Sequence, residues 1–258
     1  MKIVKITPHG FCAGVIGALK TALSLEGRVY CLHELVHNEL VVADLKKRGF
    51  RFVENVDEVP EGETVLFSAH GVAPQVRERA LARKLKVVDA TCPFVRKVHE
   101  DARRYAQAGK FVYVIGKPDH VEVKGILGEI NNPQSPLPKA IAVVSQTTMN
   151  SDRVAEIVAE LKQTHEVETA AQVCNATKLR QDAVRNFEGD ALLVLGSANS
   201  SNTRELGEVA KCAKVFRAGT IEEVKALDLT GVEVLGVTSG ASTPENFYEE
   251  AINVLADR

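Results

Sequence analysis

Three of the five cysteines stand at the same kind of corner and cut the chain into near-equal thirds. They read Gly-Phe-Cys-Ala-Gly at 10–14, Ala-Thr-Cys-Pro at 90–93 and Val-Cys-Asn-Ala-Thr at 173–177. Cys12 and Cys92 are 80 residues apart, Cys92 and Cys174 are 82 apart, and 84 residues follow Cys174. A fixed period constrains the fold more tightly than composition does, because each period has to build the same unit.

The rest of each third repeats in the same order. A helical stretch follows each cysteine: VIGALKTALSLEG, PFVRKVHEDARRYAQAG and TKLRQDAVRNF. An apolar strand comes next, VYCL at 29–32, VYVIG at 112–116 and LLVLG at 192–196. Eight residues beyond a position in that strand stands a polar group: His37 after Val29, His120 after Val112, Ser201 after Leu193. A later strand ends in small polar residues, VLFSAHG, VVSQTT and GVTSGAS, and an amphipathic helix follows it. Strands alternating with helices of 10–15 residues imply parallel α/β sheets, whose ligands bind beyond the carboxyl ends of the strands. The expected architecture is therefore α/β, with three similar lobes of mainly parallel sheet in a pseudo-threefold arrangement. Their boundaries fall at 13–92, 93–174 and 175–258, the last completed by residues 1–12.

A chain of 258 residues with a net charge of −2 offers no broad field for nucleic acid or an anionic membrane surface. Its apolar runs are too short to span a bilayer, and MKIVKITPHG has neither a signal h-region nor a transit pattern. A cytoplasmic location is expected. An odd number of widely spaced cysteines with no CxxC pair argues against a disulfide framework.

One cysteine alone is most often a small buried hydrophobe. Three at equivalent helix starts, where the helix field favours thiolate, point to a shared metal centre. Structural zinc takes four ligands, commonly in CxxC pairs, which are missing here. An iron–sulfur cluster also ordinarily takes four thiolates, so three leave one iron open as a Lewis acid. Cys31 lies within a strand and Cys212 at the end of a helix, and both are expected to be ordinary thiols.

His37, His70 and His120 occupy repeat-related loops at strand ends, whereas His9, His33, His99 and His165 form no such set. Glu122, two residues after His120, either complements a helix dipole or delivers a proton in a dry pocket. The last third offers Ser197 to Asn202 and Ser239 to Ser242, which suit helix caps or an anion site. No GxxxxGK[ST] or GxGxxG accompanies these turns. Together these groups suit a small phosphorylated ligand.

The motifs GFCAGV, HELVHN, FSAHGV, DATCP, HVEVKG, SQTT, SANSSNTREL and GASTP occur in this order along nearly the whole chain. Their order resembles the 4-hydroxy-3-methylbut-2-enyl diphosphate reductase family, the last enzymes of the methylerythritol phosphate route to isoprenoids. The resemblance implies lobes arranged around a central [4Fe–4S] cluster held by Cys12, Cys92 and Cys174, also isolable as [3Fe–4S]. It implies diphosphate binding by His37, His70, His120, Ser200, Ser201, Asn202 and Ser242. Glu122 matches the family's proton donor, with His120 and Thr147 beside it. The implied reaction reduces the allylic alcohol to isopentenyl or dimethylallyl diphosphate, with electrons from a ferredoxin or flavodoxin. Two elements depart from the family pattern: Val121 replaces the usual proline, and VCNATKLRQ lacks the aromatic residue and the asparagine that many members carry there. Three other readings stand beside this one: a cluster-dependent enzyme for another phosphorylated alcohol, a redox sensor, and a zinc-stabilised binding protein.

Overall fold

A computed structural model describes residues 1–132, 137–170 and 173–257. In chain order, β1 (Lys2–Lys5) leads to α1 (Ala13–Leu23), β2 (Val29–Leu32), α2 (Glu39–Lys47) and β3 (Arg51–Val53). Then come β4 (Thr64–Phe67), α3 (Pro74–Ala82), β5 (Lys86–Asp89) and α4 (Pro93–Gln107). The middle of the chain forms β6 (Phe111–Ile115), α5 (Val121–Leu127), β7 (Ala140–Ser145), α6 (Ser151–Lys162) and β8 (Glu166–Thr169). The last part forms α7 (Asn175–Arg185), β9 (Ala191–Leu195), α8 (Ser201–Glu208) and β10 (Lys214–Ala218). It closes with α9 (Ile221–Lys225), β11 (Val234–Ser239) and α10 (Glu245–Ala256).

Among the described residues the strands form three sheets, ordered β3-β2-β4-β5, β6-β7-β8 and β1-β11-β9-β10. Every pairing is parallel. The α/β class and its three parallel sheets agree with the alternation of strand and helix patterns in the sequence. By contacts the chain divides into two compact units. One comprises Met1–Cys12, His37–Val41 and Asn175–Arg258; the other comprises Ala13–Val36 and Val42–Cys174. The first unit holds one sheet and the second holds two.

In the one-sheet unit, β9 (ALLVL) is buried at every position, as expected for a central parallel strand covered on both faces. The strand period of two sends its side chains to opposite cores. Leu193 and Leu195 pack with Phe247, Tyr248, Ala251 and Leu255 of α10, while Leu192 and Val194 pack with Val184 and Leu206. The spacing of the α10 residues places them on one helical stripe. At the sheet edge, β1 contributes only four residues, half-buried or exposed, and takes its register from β11 through Lys2 opposite Val234.

In the two-sheet unit, β7 shows the same division: Ala142 and Val144 face Val98, Ala102 and Tyr105 of α4, and Ile141 and Val143 face Val154 and Val158 of α6. Although α4 leaves the end of β5, it packs on the β6–β7 side, so the Cys92 corner links the unit's two sheets. One expectation is corrected. Cys212 does not end a helix, because α8 stops at Glu208 with Val209 as its C-cap. Cys212 lies in the bend before β10, where its Sγ donates to the Lys214 carbonyl at 3.4 Å.

Candidate active site

The repeat seen in the sequence has a backbone counterpart. Cys12 directly precedes α1, Cys92 is the N-cap of α4 with Pro93 at its first position, and Cys174 directly precedes α7. Each cysteine N–H donates to the carbonyl two residues past the end of a strand. The acceptors are Ala241 after β11 at 3.1 Å, Ala69 after β4 at 3.0 Å, and Thr147 after β7 at 3.1 Å. The same hydrogen bond thus fixes all three corners at carboxyl ends of parallel strands. All three are half-buried thiols, a donor set that fits a soft metal centre. Cys31 contrasts with them: it is fully buried in β2, and burial pushes its thiol up to about 12.

In the two-sheet unit, His70, His120, Glu122 and Thr147 come from loops and helix starts beyond β4, β6 and β7. The His70 and His120 rings meet edge to face with centroids 5.6 Å apart. His120 is the N-cap of α5, and its Nδ1 accepts from the Glu122 N–H at 3.2 Å. Glu122 is buried, and Thr147 grips both its oxygens: the N–H donates to Oε1 at 2.6 Å and Oγ1 donates to Oε2 at 3.0 Å. Burial raises the Glu122 carboxyl to about 7, against the lowering effect of the two Thr147 bonds. Near neutral pH it therefore exists in both proton states, which a general acid requires.

In the one-sheet unit, Ser200 is the N-cap of α8, its Oγ accepting from the Thr203 N–H at 3.3 Å. By this capping criterion Ser200 holds the place of His120, one residue before the Ser201 that the eight-residue spacing selects. Asn202 Oδ1 accepts from the Ala241 N–H at 3.0 Å, and its Nδ2 donates to Thr177 Oγ1 at 3.3 Å. Ser242 Oγ donates to the His37 carbonyl at 3.0 Å. Hence Cys12, His37, Asn202 and Ser242 are tied into one hydrogen-bonded group through the Ala241 loop.

Several supporting residues were not singled out by the sequence. Asn38, not His37, caps α2, its Oδ1 accepting from the N–H groups of Leu40 and Val41 at 3.0 and 3.2 Å. Arg180 on α7 donates from Nη2 to the Gly10 carbonyl at 2.8 Å, holding the Cys12 loop, whose Gly10 N–H donates to Ser239 Oγ at 2.7 Å. The ATKLRQ segment carries Arg180 openly, but nothing local reveals a partner 170 residues away. Of the histidines outside the repeat set, His9 stacks on Tyr248 at 3.8 Å and His33 pairs with Glu54 at 2.8 Å.

The fold and site define a class: a parallel α/β chain with a recurring cysteine corner and a buried carboxyl poised to exchange a proton. Residues 3–256 match the LytB protein family. The chain belongs to that family. It is 40% identical over 279 residues to 4-hydroxy-3-methylbut-2-enyl diphosphate reductase of Psychromonas ingrahamii, covering 98% of this chain and 89% of that protein. The enzyme of the same name from Dechloromonas aromatica is 42% identical over 276 residues, with 98% and 90% covered. The structure of E-1-hydroxy-2-methyl-but-2-enyl-4-diphosphate reductase from Plasmodium falciparum superposes with a TM-score of 0.91 at 33% identity, covering 99% of this chain and 88% of that one. A structure of (E)-4-hydroxy-3-methyl-but-2-enyl diphosphate reductase, the terminal enzyme of the non-mevalonate pathway, superposes with a TM-score of 0.69 at 32% identity, with 100% of this chain and 99% of that one covered. Among the described residues no helix is long and apolar enough to cross a membrane.

Proposed function

We propose that this chain reduces 4-hydroxy-3-methylbut-2-enyl diphosphate to isopentenyl and dimethylallyl diphosphate, the activity its relatives are named for. The observation that carries this reading is the cysteine corner, repeated three times with the same backbone hydrogen bond. Cys12, Cys92 and Cys174 would hold a [4Fe–4S] cluster, also isolable as [3Fe–4S]. When bound, that cluster supplies one-electron transfer and, at the iron lacking a thiolate, a Lewis-acidic position.

The chain's own residues supply the remaining chemistry. Overall, two electrons and two protons enter, the allylic C–O bond breaks, one proton leaves with the oxygen as water, and the other ends on carbon. Glu122 holds an exchangeable proton on a carboxyl whose burial favours the neutral form. The two hydrogen bonds from Thr147 fix the orientation of that carboxyl, so the proton is offered in a set direction. His37, His70, His120, Ser200, Ser201, Asn202 and Ser242 are assigned to the diphosphate. Their match to the family motifs supports this, as does the start of α8, where main-chain N–H groups favour anions. A ferredoxin or flavodoxin type carrier is the expected electron source, and a soluble cytoplasmic enzyme is the expected form.

Protein loaded with iron and sulfide under anaerobic conditions is expected to consume 4-hydroxy-3-methylbut-2-enyl diphosphate with dithionite-reduced viologen and release both five-carbon diphosphates. Full iron loading without consumption of this substrate would contradict the assignment.

A further inference from the structure

We infer that His99 is a positioning residue for the diphosphate site, a wedge that sets how the His70 loop sits on α5. It lies on α4, seven residues after Cys92, and is 5% exposed. One ring edge is anchored: Nδ1 lies 3.0 Å from Glu129 Oε1, and Glu129 is itself clamped by two hydrogen bonds from Arg103, at 2.8 and 3.1 Å. The Glu129 carboxyl, partly desolvated by burial, is nonetheless held below its ordinary value by His99 and Arg103. An ionised carboxylate only accepts, so Nδ1 carries the proton and the ring orientation is fixed.

The opposite ring edge bears on the substrate segments. Its Nε2 is buried and has no hydrogen-bond partner among the described residues. A β-carbon at Gly71 would fall 3.0 Å from Nε2, and one at Gly125 would fall 2.9 Å from Cε1. Gly71 directly follows His70, and its φ of +74° suits glycine. Gly125 lies on α5, the helix capped by His120 and carrying Glu122. The loop and helix also meet directly: a β-carbon at Gly128 would fall 2.4 Å from the Ala73 β-carbon, and Gln75 Nε2 donates to the Gly128 carbonyl at 3.2 Å. The His99 ring thus occupies the junction that brings His70 against His120, while touching neither imidazole in any hydrogen bond.

This inference rests on the diphosphate assignment above, and the test separates the two. Calorimetric titration of the anaerobically loaded protein with inorganic diphosphate is compared for parent, His99→Asn, Gly125→Ala and the double variant. Asparagine keeps a donor toward Glu129 but removes the ring edge against the glycines. The Gly125→Ala change favours the helix yet pushes the ring from the other side. Each single variant is expected to weaken diphosphate binding about tenfold or more, with iron content unchanged and KM raised more than kcat is lowered. The double variant is expected to recover part of the loss, because the methyl enters space the ring has left. Parent-like diphosphate affinity in both single variants would overturn the wedge. No diphosphate binding by the parent would overturn the diphosphate assignment, and this inference with it.

Discussion

Glu122→Gln is expected to lower turnover by about 10²–10⁴-fold, the usual contribution of a positioned general acid, while substrate affinity and iron content stay near those of the parent. Glutamine preserves the shape, its oxygen can still accept from the Thr147 N–H and its NH2 can donate to Thr147 Oγ1, but it has no acidic proton to give at neutral pH. The same substitution has a signature in stability. The folded carboxyl titrates near 7 and its ordinary value is 4.5, so between these the folded state keeps a proton that the unfolded chain has released. This group's effect is most favourable below that window and is lost as pH rises through it, by on the order of 3 kcal/mol in all. Denaturant titrations of the parent should show that slope between about pH 4.5 and 7, and those of Glu122→Gln should lack it. For the parent, the turnover controlled by this group should also fall above about pH 7 as the acid form is depleted. A variant retaining full rate would exclude Glu122 as the acid.

The second large effect concerns the thiols. Serine at Cys12, Cys92 or Cys174 is expected to cut activity by at least about 100-fold and to reduce bound iron and sulfide, because in the proposed assignment each corner supplies one soft ligand. Alanine at Cys31 is the control: its thiol is buried in β2 and pushed up to about 12, so iron content and rate should persist. Iron and sulfide analysis of the four variants, alongside their rates, tests the distinction. Equal losses at Cys31 and Cys92 would show that the repeat does not mark the ligands.

These expectations trace to parts of the molecule that were legible in unequal degree. The central strands announce themselves because a parallel strand covered on both faces must be apolar throughout, as in the ALLVL of β9 and the VYCL of β2. Edge strands do not. In β8, EVET, only Val167 packs on a core, and its pairing with β7 leaves little trace in the pattern. The cysteine corners were legible because their spacing repeats, and their shared hydrogen bond follows from building the same turn three times. Register within the repeat was less legible: counting from the strand selects Ser201, whereas the capping geometry selects Ser200. Glu122 was visible as a carboxylate two residues after His120, but its burial and its two bonds from Thr147 depend on packing 25 residues away. His99 stood outside the repeat set because its role comes from two glycines, which carry no side chain to signal a contact.

The most direct test is the Mössbauer spectrum of protein loaded anaerobically with isotopically enriched iron, recorded with and without 4-hydroxy-3-methylbut-2-enyl diphosphate. The three cysteine ligands proposed above would leave a single iron without a thiolate, so substrate should change the parameters of that one site and leave the others as they were. A spectrum in which every iron is thiolate-ligated and indifferent to the substrate would contradict the account.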